Sequence, residues 1–105
     1  MTGYRYFIKT DTTEIGFLCD LESYFSENEF FNLAAIFEDE LDAPDIDMRN
    51  TISFFTQKGN RKFHKAIKKC QTAYEQLGIQ FVRIEKEINE SEIVYQDKYQ
   101  IILRR

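Results

Sequence analysis

Residues Asn60–Gly78, NRKFHKAIKKCQTAYEQLG, carry the strongest periodic signal in the chain. Phe63, Ala66, Ile67, Cys70, Ala73, Tyr74 and Leu77 recur on one face at helical spacing, and Arg61, Lys62, Lys65, Lys68 and Lys69 fall on the other. An apolar stripe opposite a charged one predicts an amphipathic helix over 61–77 with one side buried. Lys58-Gly59-Asn60 is turn chemistry with Asn60 as the N-cap. Gly78 is the stop, because glycine tolerates the left-handed conformation that ends helices. Such a helix must lay its stripe on something, and the flanking runs supply a sheet. Thr51–Thr56 precedes it; Ile79–Lys86 and Ile93–Leu103 follow it, rich in branched and aromatic residues. Asn89-Glu90-Ser91-Glu92 is expected to join the last two strands as a hairpin.

Further back, Tyr4–Lys9 alternates Tyr4, Tyr6 and Ile8 against Arg5, Phe7 and Lys9, a strand pattern. Asp11-Thr12-Thr13-Glu14 has capping-box spacing, and Ile15, Leu18, Leu21 and Tyr24 then fit a helix of about three turns. Gly16 weakens that helix by about 1 kcal/mol relative to Ala. Ser26-Glu27-Asn28-Glu29 repeats the box in its serine form and predicts a second helix to Leu41. Its stripe is Phe30, Leu33, Ala34, Phe37 and Leu41. Pro44 breaks the pattern that follows. The expected order is β-α-α-β-α-β-β: an α+β fold with helices packed on one face of a mainly antiparallel sheet. A chain of 105 residues holds one core, so 1–105 is read as a single globular domain.

Apolar residues make up 43% and charged residues 30%, the balance of a globular chain rather than a disordered one. No apolar run approaches membrane-spanning length, and Met1-Thr2-Gly3-Tyr4-Arg5 lacks a signal-peptide pattern. Two cysteines, Cys19 and Cys70, make no disulfide framework, and a reducing cytoplasm is expected. Both are expected to sit buried as small hydrophobes.

The net charge of −4 hides an uneven layout. Thr10–Met48 carries twelve acids and no Lys or Arg, whereas Arg49 onward carries twelve bases and six acids. Carboxylates along a helix and its following loop imitate a phosphate track and suit a partner's basic nucleic-acid channel, approached by electrostatic steering. The candidates are Glu27, Glu29, Glu38, Asp39, Glu40, Asp42, Asp45 and Asp47. Lys58, Arg61, Lys62, Lys65, Lys68 and Lys69 form the opposite block, without an acid among them. They are the alternative: phosphate contacts from a basic helix, with Tyr4 or Tyr6 of the sheet stacking on bases. A sequence pI of about 5.0 weighs against that alternative. A third arrangement sets acidic face on basic face of a second copy, a homodimer.

Catalytic chemistry finds no footing. His64, the one histidine, lies at the edge of the apolar stripe and is expected to pack there. Cys70 and His64, six residues apart on a helix, point roughly 240° apart and make no nucleophile pair. The acids after Glu38 lack the glycine and closing glutamate of a calcium loop, and Pro44-Asp45 finds no downstream acid-x-Lys partner. Four scattered glycines assemble neither a P-loop nor a dinucleotide fingerprint. The reading is a non-enzyme with no cofactor and no metal.

As a whole-chain profile, an acidic, aromatic-rich domain near 100 residues with the base-free stretch Thr10–Met48 resembles the small inhibitors carried by phages and mobile elements. Among them are anti-CRISPR proteins that keep Cas9-type effectors from loading guide RNA or binding DNA. The resemblance implies a basic nucleic-acid-binding protein as partner, a Cas9-type effector or its guide RNA. The basic second half departs from a pure nucleic-acid mimic. It suits a bipartite mechanism in which the acidic face docks on the effector while the basic helix touches RNA or an acidic patch.

Overall fold

A computed structural model describes residues 1–105. In chain order the elements are β1 (Thr2–Lys9), β2 (Glu14–Gly16), α1 (Leu21–Tyr24), α2 (Glu27–Glu40), β3 (Thr51–Phe55), α3 (Gln57–Lys62), α4 (His64–Gln76), β4 (Gln80–Glu87), β5 (Ile93–Gln96) and β6 (Gln100–Arg104), with a single 3-10 turn at Glu90–Glu92. The class is α+β and all pairings are antiparallel. Strand β1 is the axis. Along one edge it pairs with β4 over its whole length, Thr2 opposite Glu87 through Lys9 opposite Gln80. Its other edge is shared: β2 takes Phe7–Lys9, and β3 meets it only at Tyr4. From β3 the sheet runs on through β6 to β5. Two strands leaving one edge must diverge, which curls the sheet and opens a gap beside Arg5 and Tyr6.

Helix α2 forms as its sequence dictates. The Glu29 N–H donates to Ser26 Oγ at 3.3 Å, and the Ser26 N–H donates to Glu29 Oε1 at 3.0 Å, a complete capping box. Helix α4 ends as expected too. Gly78 has φ +75°, the Ile79 N–H donates to the Tyr74 carbonyl, and the Gly78 N–H donates to the Glu75 carbonyl. That pair of bonds is a Schellman motif.

Three expectations are corrected. The helix expected from Asp11–Glu14 onward is a hairpin: Thr10 N–H donates to the Thr13 carbonyl, Thr13 N–H donates to Thr10 Oγ1, and β2 follows. A short glycine-containing helix is marginal alone, while the open edge of β1 offers a ready ladder. Only Leu21–Tyr24 keeps a helical turn. Second, Asn60 is not the cap of the basic helix. Thr56 is: its Oγ1 accepts the Gly59 N–H at 3.0 Å, and the element divides at Phe63 into α3 and α4. Asn60 Oδ1 instead accepts the Tyr6 hydroxyl. Third, 79–86 and 93–103 do not pair. β4 joins β1, and the last run folds on itself as β5 and β6 around Asp97. Asp97 Oδ1 accepts the N–H groups of Tyr99 and Gln100, both at 2.9 Å, so a local side-chain turn replaces the expected straight strand. The order is therefore β-β-α-α-β-α-α-β-β-β.

The larger core gathers Ile8 and Phe55 from the sheet with Leu33, Ala34 and Phe37 of α2, Ile67, Cys70 and Tyr74 of α4, and Phe17, Leu21 and Phe63. Phe17 sets its ring edge-on to Phe37 at 5.5 Å, and Tyr74 donates to the Phe17 carbonyl at 2.7 Å. Burial raises the phenol pKa of Tyr74 and pushes the Cys70 thiol up to about 12. A smaller cluster, Phe54, Ile88, Ile101 and Leu103, takes the alternate residue of β3 and so lies on the other face of the sheet. No helix is long and apolar enough to cross a membrane.

Candidate partner-docking surface

All eight predicted acids are exposed, but they do not form one uniform face. At 100° per residue, Leu33, Ala34 and Phe37 define the buried side of α2, and Asp39 points away from it. Glu29 and Glu40 share the flank toward α4. There Lys62 Nζ lies 3.4 Å from Glu40 Oε2, Lys69 Nζ donates to the Asn32 carbonyl at 3.3 Å, and the Cys70 thiol reaches the Leu33 carbonyl at 3.8 Å. Glu27 and Glu38 share the opposite flank. Backbone and side-chain hydrogen bonds from Ser26 hold the Glu29 carboxyl below its ordinary pKa, so its charge serves the cap.

The loop acids divide as well. Asp47 accepts Arg49 Nε at 3.1 Å and Arg49 Nη2 at 2.8 Å, and the Arg49 backbone N–H adds a bond at 3.0 Å. Those bonds lower the pKa of Asp47 and raise that of Arg49. Asp42 lends its carbonyl to Gln100 Nε2 at 2.6 Å, leaving the carboxylate free. Glu27, Glu38, Asp39, Asp42 and Asp45 thus enter no ion pair.

Between α1 and the first turns of α2 lies a feature that the charge count missed. Glu22, Phe25, Glu27, Phe30 and Phe31 line an open, shallow hollow of about 320 Å³. Phe30 belongs to the core stripe, whereas Phe31, one residue on, is 53% exposed, with its ring 5.9 Å from Phe30 at 67°. Neither Glu22 nor Glu27 is in an ion pair. An aromatic floor rimmed by free carboxylates suits the stem and head of an arginine or lysine side chain. The sequence did carry the signal, since Phe31 falls about 100° off the stripe that holds Phe30.

The six basic candidates divide too. Lys62 and Lys69 turn onto α2 as described, and Lys62 also lies 5.5 Å from the Tyr99 ring. Lys58, Arg61, Lys65 and Lys68 are exposed and unpaired. Tyr4 and Tyr6, expected to offer stacking faces, are instead half-buried against the core. Arg83 covers the Tyr4 ring at 5.3 Å and donates to the Tyr6 hydroxyl at 3.3 Å. Two more expectations are corrected here. Cys19 is exposed, because β2 ends before it, while Cys70 alone is buried. His64 begins α4 exposed rather than packed at a boundary. No three His, Cys, Asp or Glu side chains converge as metal ligands would.

Comparison with protein-family models, curated proteins and solved structures finds no match to this chain. The functional reading therefore stands on its own residues.

Proposed function

We propose that this chain is a non-enzymatic interaction module that docks on a basic, nucleic-acid-handling protein through the outer side of α1 and α2. The helices gather over one face of the sheet and turn this side to solvent. The observation that carries the reading is the hollow at Phe31. Phe31, 53% exposed, is the most exposed large apolar side chain of the molecule, and it lies beside two unpaired carboxylates in a hollow floored by aromatic rings. Glu38, Asp39, Asp42 and Asp45 extend the negative track beyond it, for a partner groove that otherwise holds phosphates. A Cas9-type effector free of guide RNA is the sharpest such partner, and blocking its RNA or DNA channel is the outcome. Free thiols at Cys19 and Cys70 suit a reducing cytoplasm.

A second reading uses Lys58, Arg61, Lys65 and Lys68, which leave an unpaired cationic strip on α3 and α4. It ranks behind, because Lys62 and Lys69 are spent on α2 and the Glu40 carboxylate sits beside the strip. Within the first reading these four cations are the contact to guide RNA. Self-association, with α2 of one copy on α4 of another, is the third arrangement.

The test is immobilised, guide-free effector titrated with the chain and with Phe31→Ala. The expected result is a loss of about 2 kcal/mol or more in binding, the size of an interface anchor. Equal affinity for the variant overturns the docking site. Salt-dependent binding to bare RNA without any effector binding promotes the cationic strip instead. A concentration-dependent sedimentation coefficient without effector binding promotes the homodimer.

A further inference from the structure

Where β2 and β3 part along the edge of β1, the sheet opens a cleft of about 360 Å³. This size lies at the lower end of the range for small-molecule sites, about 300 to 1,000 Å³. Gly16, Leu18 and Cys19 line it on the β2 side, Ser53 on the β3 side, and Met48 from the loop after α2. Its one cation is Arg5.

Arg5 is half-buried, and no carboxylate lies within ion-pair distance of it. Nη1 donates to the Ser53 carbonyl at 3.1 Å, which ties β1 to β3 across the gap, and the guanidinium lies 5.8 Å from the Phe7 ring. Of five guanidinium N–H donors, that single bond spends one. The guanidinium makes no other hydrogen bond, and Nη1 and Nη2 stand beside Gly16, which lines the cleft. Burial first, and the like charge of Arg105 second, push the Arg5 pKa below its ordinary value, and the negative charges at Cys19 and Glu14 offset this only in part. A Cβ added at Gly16 would stand 3.9 Å from both Nη1 and Nη2 and 3.5 Å from Cys19 Sγ. The guanidinium end and the thiol therefore border the same small space.

We infer that this cleft binds a small organic carboxylate, with Arg5 holding the carboxylate and Leu18 and Met48 enclosing a short apolar body. A guanidinium presents paired N–H donors that match a carboxylate's two oxygens. One guanidinium, with no second cation lining the cleft, matches a monoanion better than a phosphate dianion, and mostly apolar walls exclude a fully hydrated ion. This site is separate from the hollow at Phe31 and stands whether or not that surface docks a partner.

Cys19 is a built-in reporter at the cleft, because Cys70 is buried and serves as the slow internal reference. Alkylation of Cys19 by iodoacetamide, a neutral reagent, is followed by mass in the presence of hexanoate or hexanol. Only the unoccupied fraction reacts, so hexanoate at about ten times its Kd slows Cys19 about tenfold. Hexanol at the same concentration does not, and Arg5→Met loses the protection. Should Arg5→Met fail to fold, the hexanoate and hexanol comparison on the unaltered chain decides alone, together with shifts of the Gly16 and Ser53 amide signals. Undiminished alkylation in millimolar hexanoate overturns the inference. So does equal protection by hexanol, which reveals an apolar slot without anion recognition.

Discussion

An exposed phenylalanine contributes little to the folded chain, so its removal separates docking from stability. Phe31→Ala is expected to leave the melting temperature nearly unchanged, within about 0.5 kcal/mol as for most surface substitutions, while effector affinity falls. A calorimetric melt beside the binding titration checks both halves. Asp97 makes the opposite kind of prediction. Burial opposes its ionisation, but hydrogen bonds from the Gln100 side chain, the Tyr99 N–H, the Tyr95 hydroxyl and the Gln100 N–H prevail and lower its pKa. A carboxyl depressed in the folded chain contributes stability at pH above its unfolded value, about 3.9, and that contribution is lost as pH falls through the folded one. Asp97→Asn should therefore lower stability at pH 7 and flatten the acid limb of a stability-against-pH curve below about pH 4. Parallel acid limbs for the two proteins would contradict this. Asp97 was unreadable as a turn because Gln96-Asp97-Lys98-Tyr99 contains no glycine or proline. Its side chain makes the turn by local hydrogen bonds.

Among elements, helix ends marked by a capping box or a terminal glycine were readable, and strand pairings set by distant segments were not. Ser26 and Glu29 announce α2, and Gly78 announces the end of α4, because each motif lies within one helical turn. β2 depends on β1 for its ladder, and β4 chooses β1 over the nearer β5, choices that no local pattern encodes. The start of the basic segment was misplaced for a related reason. Gly59 reads as a turn residue, yet it is helical and buried because α3 packs on the Tyr99 backbone. A Cβ there would stand 2.1 Å from the Tyr99 carbonyl oxygen. Backbone cannot rotate out of the way as a side chain does, so Gly59→Ala is expected to cost about 1–3 kcal/mol. Chemical denaturation checks it, and a midpoint equal to that of the unaltered chain would show that α3 shifts freely.

Across the whole molecule, the two charge blocks of the sequence lie side by side rather than at opposite poles. Contacts bring Lys62 of α3 to Glu40 and Lys69 of α4 to the Asn32 carbonyl, so the basic segment covers one flank of α2 and leaves the other flank free. The acid-rich half was readable as a composition. Which of its carboxylates remain free was not, because that depends on packing between segments far apart in sequence. The free ones on α1, α2 and the following loop, Glu22, Glu27, Glu38, Asp39, Asp42 and Asp45, carry the long-range attraction for a basic partner, which salt screens over about 8–10 Å. The most direct measurement is the affinity of a guide-free Cas9-type effector for the unaltered chain and for Glu22→Lys combined with Glu27→Lys, at about 50 and about 200 mM salt. Binding is expected to weaken with salt, and the folded double variant to lose about tenfold or more, about 1.4 kcal/mol. Undiminished binding by that variant, or no binding by the unaltered chain at either salt, would contradict this expectation.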